Sequence, residues 1–413
     1  MKHLPVVLSV FLGSGTLLYP NDFDWPQWQG AARDAKSTET GLLKDWPKEG
    51  PPLAWQVRGL GEGYSTPSVA AGRIFTMGHR AGSEHVICLS EKDGKEIWAV
   101  PLGPAGKGGG YPGPRCTPTV DGEFLYALGC GGTLVCLKAA DGQEVWRKDL
   151  KKDFKGRVGG WEYSESPLVD GDRLVVTPGG KTATLAALAK RTGETLWQSA
   201  VPEGDSAQYS SVIVADIEGT RQYIQFLSRG VVGVSAADGR YLWRYNRPAN
   251  GTANCSTPIY SDGHIFAASS YGNGGGLAKL TKEADAFRTD EVYFTKEMQN
   301  HHGGMVLLDG YLYGSDEGKL TCMEFKTGQV KWAAGQPGKG SILYADGRLY
   351  YRNEGGKGTM FLVEATPEKY VEHGRFPQPD RSPQNAWPHP VVANGKMYLR
   401  DQDLLLCYDV KPK

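Results

Sequence analysis

The feature that most constrains the fold of this chain is a motif that recurs along it and ends in Gly-x-x-x-Trp. Five copies read CLSEKDGKEIW, CLKAADGQEVW, ALAKRTGETLW, GVSAADGRYLW and CMEFKTGQVKW, and they end at Trp98, Trp146, Trp197, Trp243 and Trp332. From Trp55 to Trp243 the tryptophans that end successive repeats lie 43 to 51 residues apart, and the gap before Trp332 is about twice as long. A period of roughly 40–50 residues is typical of the blades of a β-propeller.

Each repeat also begins alike, with a short apolar strand, a turn such as Asp-Gly, Ala-Gly or Asn-Gly, and a second, alternating strand. The eight beginnings read STPSVAAGRIF, CTPTVDGEFLY, ESPLVDGDRLV, SSVIVADIEGTRQYI, STPIYSDGHIF, GGMVLLDGYLY, GSILYADGRLY and HPVVANGKMY. Asn, Asp and Gly before a strand favour tight hairpin turns. A third strand follows, and the Gly-x-x-x-Trp strand is the fourth. The pattern predicts an all-β fold, an eight-bladed β-propeller of four-stranded antiparallel blades with almost no helix.

Two repeats lack the tryptophan, and we place their ends near Phe294 (TDEVYF) and Phe376 (VEHGRF), with Phe in place of Trp. The last repeat supplies three strands and stops at LLLCYDVK, whereas KEGPPLAW, which ends at Trp55, has no earlier strands of its own. We therefore expect the N-terminal strand to complete the last blade. Closing the ring in this way removes the open sheet edges that promote aggregation.

The 413 residues divide into a secretory signal peptide in residues 1–19, an N-terminal segment in residues 20–54, and one propeller domain in residues 55–413. A basic start followed by an apolar run over residues 4–12 is typical of signal peptides. A disordered leader is the alternative. The apolar stretch is too short and too interrupted for a membrane span. We expect a periplasmic or secreted monomer.

Charge and cysteine content exclude several classes of protein. The 46 basic and 46 acidic residues cancel, and no basic stripe with interleaved aromatics is present, so we expect no nucleic-acid partner. Four of the seven cysteines occupy one repeated strand position and are interpreted as core residues: Cys88, Cys136, Cys322 and Cys407. No Cys-x-x-Cys pair is present, so no zinc site of that kind is expected.

The repeat tail, [Ala/Ser]-x-x-[Thr/Asp]-Gly-x-x-x-Trp, resembles the tryptophan-docking repeat of quinoprotein alcohol dehydrogenases. It also resembles that of their non-enzymatic relatives, such as the outer-membrane assembly lipoprotein of the β-barrel machinery. The resemblance covers about residues 55–410. DWPQWQG at residues 24–30, followed by STETGLLKDWP, is similar to the start of secreted planctomycete-type proteins described as PQQ-binding-like β-propeller repeat proteins. The resemblance implies the fold and leaves the function open.

The dehydrogenases of this family hold PQQ against a disulfide between adjacent cysteines and bind calcium through Glu, Asn and Asp. This sequence has no adjacent cysteines, and no calcium motif can be placed in it. We therefore expect no cofactor and no metal. PQQ with calcium is the alternative.

Polar and aromatic side chains precede the first strand of each repeat. In a propeller the loops that lead into the innermost strands converge at one mouth of the central channel. The residues that we expect to form a ligand-binding ring there are Arg115, Tyr163, Glu165, Tyr209, Asn254, His301, His302, Lys339, Trp387 and His389. No catalytic residue is assigned.

The residue types of this ring suggest what it binds. Arg115 and Lys339 suit a carboxylate or phosphate. Tyr163 and Trp387 suit stacking on a sugar or an aromatic ring. Each suggestion concerns one part of a ligand, so the sequence does not name the ligand.

Other interpretations of the ring concern metals and structural pairing. The histidines with Glu165 have the residue types of a metal site or of acid–base chemistry. Adjacent side chains of an extended strand point in opposite directions, however, so His301 and His302 are not expected to face one ion. The structural alternative for Arg115 and Glu165 is an ion pair between neighbouring blades.

The function that the sequence favours is a non-catalytic binding or scaffold propeller that recognises a small ligand or an envelope protein at the channel mouth. The alternative is an enzyme, either a PQQ-dependent alcohol or sugar dehydrogenase or a metal-assisted enzyme. A third interpretation is an assembly factor that binds its partner by strand addition at an outer blade edge.

Overall fold

The computed structural model describes residues 21–106 and 108–412, and the expected signal peptide lies outside the described residues. The described residues form eight antiparallel four-stranded sheets, the blades, arranged in a ring around a central channel. The predicted eight-bladed β-propeller is confirmed. Blades 1 to 7 are meanders whose strands follow one another outward from the channel in chain order, whereas the N-terminal strand forms the outer edge of blade 8.

Blades 1 to 4 occupy the first half of the ring, with their strands given from the innermost outward. Blade 1 comprises Ser68–Ala70, Arg73–Arg80, Ser83–Ser90 and Glu96–Pro104. Blade 2 comprises Thr119–Asp121, Phe124–Leu128, Thr133–Lys138 and Glu144–Asp149. Blade 3 comprises Leu168–Asp170, Arg173–Val176, Leu185–Ala189 and Thr195–Ser199. Blade 4 comprises Ile213–Ile217, Thr220–Leu227, Gly230–Ser235 and Tyr241–Tyr245.

Blades 5 to 8 complete the ring. Blade 5 comprises Ile259–Ser261, His264–Ser269, Gly274–Glu283 and Ala286–Thr295. Blade 6 comprises Met305–Leu308, Tyr311–Asp316, Lys319–Glu324 and Val330–Ala334. Blade 7 comprises Gly340–Ala345, Arg348–Asn353, Met360–Glu364 and Glu372–Phe376. Blade 8 comprises Val391–Ala393, Lys396–Asp401, Leu404–Asp409 and the N-terminal strand Leu53–Val57, so the predicted closure is confirmed.

Helix is scarce, as predicted. The described part of the chain has one α-helical turn, Leu150–Asp153, and one 3-10 turn, Gly108–Gly110. Asp149 caps the first, because its side chain accepts hydrogen bonds from the backbone N–H groups of Lys151 and Lys152. Among the residues described, no helix is both long and apolar enough to cross a membrane.

The outer strands interlock neighbouring blades through their tryptophans. The indole of Trp98 in blade 1 lies over Gly142 in the turn of blade 2, where an added Cβ would lie 2.9 Å from the ring. Its Nε1 donates to the carbonyl of Ala139, 3.2 Å away, in the same turn. Trp146 and Trp197 repeat this contact with the blades that follow them. The glycine of the repeat therefore supplies both a positive φ and the space for the preceding blade's indole.

The outer strands of blades 5 and 7 lack the tryptophan, and the structure changes one of the two predicted substitutes. A bulge precedes the tryptophan in each outer strand, and by the same register Tyr293 and Gly374 hold the tryptophan position. Phe294 and Phe376 lie one and two residues beyond it. The predicted substitute Phe294 was therefore wrong, whereas the ring of Phe376 does lie over Gly50 in the turn of blade 8, where an added Cβ would lie 2.5 Å from it. Tyr293 behaves as a tryptophan would, because its ring lies over Gly328 and its hydroxyl donates to a carbonyl of blade 6.

Blade 7 obtains its missing indole from the N-terminal segment. Trp46 is buried, and its Cβ lies 2.7 Å from the position of a Cβ built on Gly374. Its ring packs edge-on against Tyr350 and Phe376 at centroid distances of 5.6 and 5.4 Å. Tyr350 is in register with Gly374 across the blade, as Tyr126 is with Trp146 in blade 2. A distant tryptophan thus fills the site that the repeat left empty.

Residues 24–37, which we call the plug, enter the channel at the end opposite the loops that precede the first strands and extend through it towards those loops. Asp24 enters there, because it accepts hydrogen bonds from Ala71 and Asn394 in the turns that end the first strands of blades 1 and 8. Trp25 bonds to Val69 of blade 1 through both backbone groups. Lys36–Ser37 pairs in parallel with the innermost strand of blade 7. The backbone hydrogen-bonding groups of the innermost strands are therefore used at this end.

Arg33 fixes the plug from within. It is 6% exposed, and its guanidinium donates to the carbonyls of Ser166, Pro167 and Val212, which lie at the starts of blades 3 and 4. Burial lowers the pKa of this arginine to about 10, which still leaves it charged at neutral pH. The sequence did not predict a plug, since its contacts are mostly with backbone and produce no residue pattern.

Candidate functional site at the channel mouth

A cavity of about 310 Å³ lies at the open end of the channel, where the loops before the first strands converge. Aromatic side chains from the plug and from six blades line it: Trp28, Tyr64, Tyr111, Trp161, Tyr209, Tyr271 and Trp387. Trp28 is contributed by the plug and donates its Nε1 hydrogen to Thr257 Oγ1, 3.0 Å away. The plug therefore forms part of the cavity wall as well as closing the channel.

Trp387 is the centre of one aromatic group. Its ring centroid lies 4.6 Å from Tyr64, 4.7 Å from Tyr111 and 4.7 Å from His302. The planes are tilted by 38° to 52°, so these rings pack in the offset geometries that aromatic pairs prefer. A second group is formed by Trp161 and Tyr209, which meet edge to face at 5.7 Å.

Tyr271 stands at the mouth of the cavity in an unfavourable backbone conformation. It lies in the turn between the second and third strands of blade 5 with φ +60°, a region that favours Gly or Asn. Half of its surface is exposed, and its ring meets His301 edge-on at 5.1 Å. A bulky residue kept in a turn of this kind indicates a role that turn stability does not explain.

The charged groups of the cavity are already paired. Lys339 Nζ lies 3.3 Å from Glu354 Oε1 and 2.9 Å from His301 Nδ1. Arg115 Nη2 donates to the carbonyls of Gly108 and Tyr111 at 3.0 and 2.8 Å. Arg115 thus fixes the glycine-rich loop that carries Tyr111, and the ion pair with Glu165, which was the structural alternative for these two residues, is not formed.

The three histidines at the mouth are held neutral. Burial, with Lys339 nearby, lowers the pKa of His301 to about 3, and burial lowers that of His389 to about 4. Burial beside other positive or titrating groups lowers the pKa of His302 well below its usual range. Neutral imidazoles offer one donor and one acceptor nitrogen each, so they suit hydrogen bonding to uncharged ligands.

His301 and His302 both line the cavity, which contradicts the expectation that they point apart. They lie in a bend rather than an extended strand, and their rings stack at a centroid distance of 4.2 Å. His389 lies beneath them. Its Nε2 donates to the His302 carbonyl at 2.8 Å, and its ring packs on Trp28 at 4.6 Å.

Buried polar atoms without partners collect in this cavity. Trp387 Nε1, His302 Nε2 and Glu354 Oε2 are buried, and no hydrogen-bond partner reaches them within residues 21–106 and 108–412. His302 Nε2 and Glu354 Oε2 are 3.6 Å apart. Burial also raises the pKa of Glu354, against the opposing effect of Lys339. Unpaired buried polar groups are costly, so a molecule that completed the hydrogen bonding of these three atoms would be favoured in the cavity.

Six of the ten residues of the predicted ring line the cavity: Arg115, Tyr209, His301, His302, Lys339 and Trp387. Four do not. Tyr163 donates its hydroxyl hydrogen to the Pro178 carbonyl, and Asn254 is buried among backbone groups. His389 supports the floor, as described. That any of these residues binds a ligand stays a prediction.

Glu165 is the fourth residue outside the lining. It is 2% exposed and accepts hydrogen bonds from the Thr177 backbone and from Gln225 Nε2. Burial raises its pKa to about 7, although hydrogen bonds and Arg33 oppose the shift. It therefore belongs to the packed contact between blades 3 and 4 and not to the cavity surface.

The residues that sequence reasoning missed come from other elements. Trp28 belongs to the plug, Glu354 and Tyr271 to turns after second strands, and Tyr111 and Trp161 to the middles of long loops. The first strand of each blade runs from the channel mouth to the opposite face, and the second strand runs back. The turn after the second strand therefore lies on the same face as the loop before the first strand. That rule would have identified Glu354 and Tyr271.

No group of three His, Cys, Asp or Glu side chains that suits a metal ion occurs among residues 21–106 and 108–412. All seven cysteines are free thiols. Cys255 lines the cavity, whereas the other six are buried.

Comparison with known families agrees with this geometry. The family model described as outer membrane protein assembly factor BamB matches residues 82–334, more than half of the chain. The chain belongs to this family. A relative named outer membrane protein assembly factor BamB, from Kangiella koreensis, is 29% identical over 163 residues, or 38% of this chain. The matched region spans 35% of that relative's length.

Solved structures share the fold at low sequence identity. BamB from Moraxella catarrhalis superposes with a TM-score of 0.60 at 15% identity, covering 87% of this chain and 98% of that one. Quinohemoprotein alcohol dehydrogenase from Comamonas testosteroni superposes with a TM-score of 0.66 at 13% identity, covering 94% of this chain and 81% of that one. Because an assembly factor and an enzyme fit about equally well, the fold does not distinguish between their functions.

Proposed function

We propose that this chain is a non-catalytic binding propeller of the cell envelope that recognises a small ligand or a segment of a partner protein at the channel mouth. The observation that carries the proposal is the aromatic cavity there, with its unpartnered polar atoms. A concave, mostly apolar site with a few converging polar groups is the usual form of a ligand site.

An envelope location is supported by two independent facts. The family and the Kangiella koreensis relative carry the name of an outer membrane protein assembly factor. The N-terminal pattern is that of a secretory signal. Together they favour a periplasmic scaffold with partners in the envelope.

The dehydrogenase alternative fits the cavity poorly. PQQ is a planar polyanion and requires free cationic groups, but Lys339 is paired with Glu354 and Arg115 is held by two carbonyls. The partly unpaired carboxylate of Glu354 would repel an anion placed beside it. The donor set of the cavity therefore favours binding without PQQ.

The test is retention of envelope components by the immobilised full chain. We expect retained components to be lost, by at least about tenfold, in a Trp161→Ala/Tyr271→Ala variant of the mouth. The matched control is Ile97→Ser/Leu196→Ser, which changes two exposed residues of the outer strands, and it should retain them. If the retained components were lost in the control variant alone, the proposal would be wrong, and binding of a partner by strand addition at a blade edge would be favoured instead. Alcohol oxidation by the protein loaded with PQQ and calcium would overturn it.

A further inference from the structure

The wall of the channel-mouth cavity offers ring faces to a ligand. Seven of its side chains are aromatic, and they come from separate loops rather than one stripe. Aromatic faces attract apolar C–H surfaces and planar rings alike, so the wall by itself admits both sugars and aromatic compounds.

The unpartnered polar atoms distinguish between these classes. Trp387 Nε1 is a donor only, and Glu354 Oε2 is an acceptor while ionised. His302 Nε2 lies 3.6 Å from Glu354 Oε2. A hydroxyl group both donates and accepts, so a ligand with several hydroxyls on one ring satisfies a mixed set of this kind. A polycarboxylate only accepts and would leave Glu354 unpaired.

The charges in the cavity also favour an uncharged ligand that carries several hydroxyl groups. The positive charge of Lys339 is balanced by Glu354, and that of Arg115 points at the carbonyls of Gly108 and Tyr111. An anionic ligand would gain no free cation and would meet the Glu354 carboxylate. The cavity volume of about 310 Å³ is at the lower end for ligand sites and suits a compact ring.

We propose that the channel-mouth cavity binds an uncharged polyhydroxylated ring, namely a monosaccharide or the terminal sugar of an envelope glycan. Trp387 Nε1 donates to a ring hydroxyl, Glu354 Oε2 accepts from another, and the aromatic wall packs on the C–H face. This assignment rests on the proposed binding function and gives it a ligand class.

The test on the unaltered protein is a matched pair of ligands measured by calorimetry: methyl glucopyranoside and methyl glucuronide, which differ by one carboxylate. Neutral galactose and N-acetylglucosamine analogues extend the panel. We expect at least one neutral pyranoside to bind, and about tenfold more tightly than its uronide. Tighter binding of the uronide, or no neutral sugar binding below about 10 mM, would overturn the proposal. Oligosaccharides released from envelope glycans distinguish the two sources of the ligand. If the ligand is the terminal sugar of a glycan, these oligosaccharides should bind more tightly than the free monosaccharide.

Two near-isosteric variants test the assigned atoms. Trp387→Phe keeps an aromatic ring but removes the donor, and it should weaken neutral sugar binding about tenfold. Glu354→Gln should weaken the neutral sugar and strengthen the uronide, a reversal that a purely structural role would not produce. Trp197→Phe, on the outer strand of blade 3, is the control and should change neither. Equal losses for both ligands in Glu354→Gln would contradict the assignment.

The two proposals fail differently. If the envelope components are lost in the mouth variant but no sugar binds, the ligand class is wrong and the binding function stands. If the mouth variant retains every component and no sugar binds, both are wrong.

Discussion

The outer rim and the channel mouth of this propeller are built from the same eight repeats but follow opposite rules. At the rim the same contact recurs, with an indole of one blade over a glycine of the next, as for Trp98 on Gly142. Where the repeat loses its tryptophan, Tyr293 covers Gly328 of blade 6 and Phe376 covers Gly50 of blade 8, while the distant Trp46 packs on Gly374 of blade 7. The loops at the mouth vary more, although a Tyr-Ser pair recurs at Tyr64, Tyr163 and Tyr209, and buried polar atoms such as Trp387 Nε1 are left without partners in the described part of the chain.

The difference separates stability from recognition. At the rim the indoles of Trp98, Trp146 and Trp197 donate to carbonyls of the next blade, although Trp46 Nε1 and Trp55 Nε1 are buried without partners among the described residues. Because these rings fill the space between blades, a change there should affect folding and leave binding intact. The mouth keeps unpaired groups and a turn residue, Tyr271, with a positive φ, and these features cost stability. Residues that reduce stability are expected where function requires them.

The largest effect on folding is expected for Trp46→Ala. The indole is buried against Tyr350 and Phe376, and its loss should lower the free energy of unfolding by about 3–5 kcal/mol. The comparison variant is Trp161→Ala at the mouth, where the indole is only half-buried, and about 1 kcal/mol is expected. Denaturant unfolding of both measures the contrast. Similar losses would show that the rim has no special role in stability.

Glu165→Gln tests a residue that the sequence placed at the mouth and the structure places in the packed interior. Its pKa is raised from an unfolded value near 4.5 to about 7, so the folded state binds the extra proton between these values. Stability contributed by the protonated carboxyl is present below pH 4.5 and is lost as pH rises to about 7. Relative to the unaltered protein, the variant should therefore gain about 3 kcal/mol between pH 4.5 and 7.5. A difference that does not change with pH would contradict the assignment.

Gly142→Ala measures the indole contact itself. An added Cβ would meet Val100 at 2.7 Å and Trp98 at 2.9 Å, and φ is +76°. Gly122→Ala is the matched control, because φ is +56° there and nothing lies within 4 Å. Both variants carry backbone strain, so the difference isolates overpacking and should be about 1–3 kcal/mol. Equal unfolding midpoints for the two variants would mean that the Trp98 indole moves aside without a loss of stability.

The predictability of the two regions follows from their physics. Repetition of the rim contact gave the period, the blade count and the ring closure. A bulge of one residue was enough to misplace the substitute in blade 5, Phe294 for Tyr293, because sequence spacing does not show which residue is left out of the ladder. Arg33 of the plug donates mostly to backbone carbonyls, which produce no residue pattern in the sequence. Glu354 lies two strands before Trp387 in the chain, in a turn after a second strand, and is found only when such turns are assigned to the same face as the loops before first strands.

Tyr271→Asn should have the smallest effect on stability and a clear effect on binding. Asn tolerates a positive φ, which relieves strain of roughly 1–2 kcal/mol, while loss of the edge contact with His301 costs about 0.5–1.5 kcal/mol. These terms nearly cancel, so the unfolding free energy should change by less than about 1 kcal/mol. Affinity for a neutral pyranoside should fall about fivefold, because the ring is half exposed at the mouth and covers the ligand. Asp262→Asn, at φ +46° in the opposite turn of the same blade, controls for the backbone and should leave affinity unchanged. If Tyr271→Asn lowered the free energy of unfolding as much as the rim variants and left the affinity unchanged, Tyr271 would be a structural residue. The contrast between a rim that provides stability and a mouth that provides recognition would then fail.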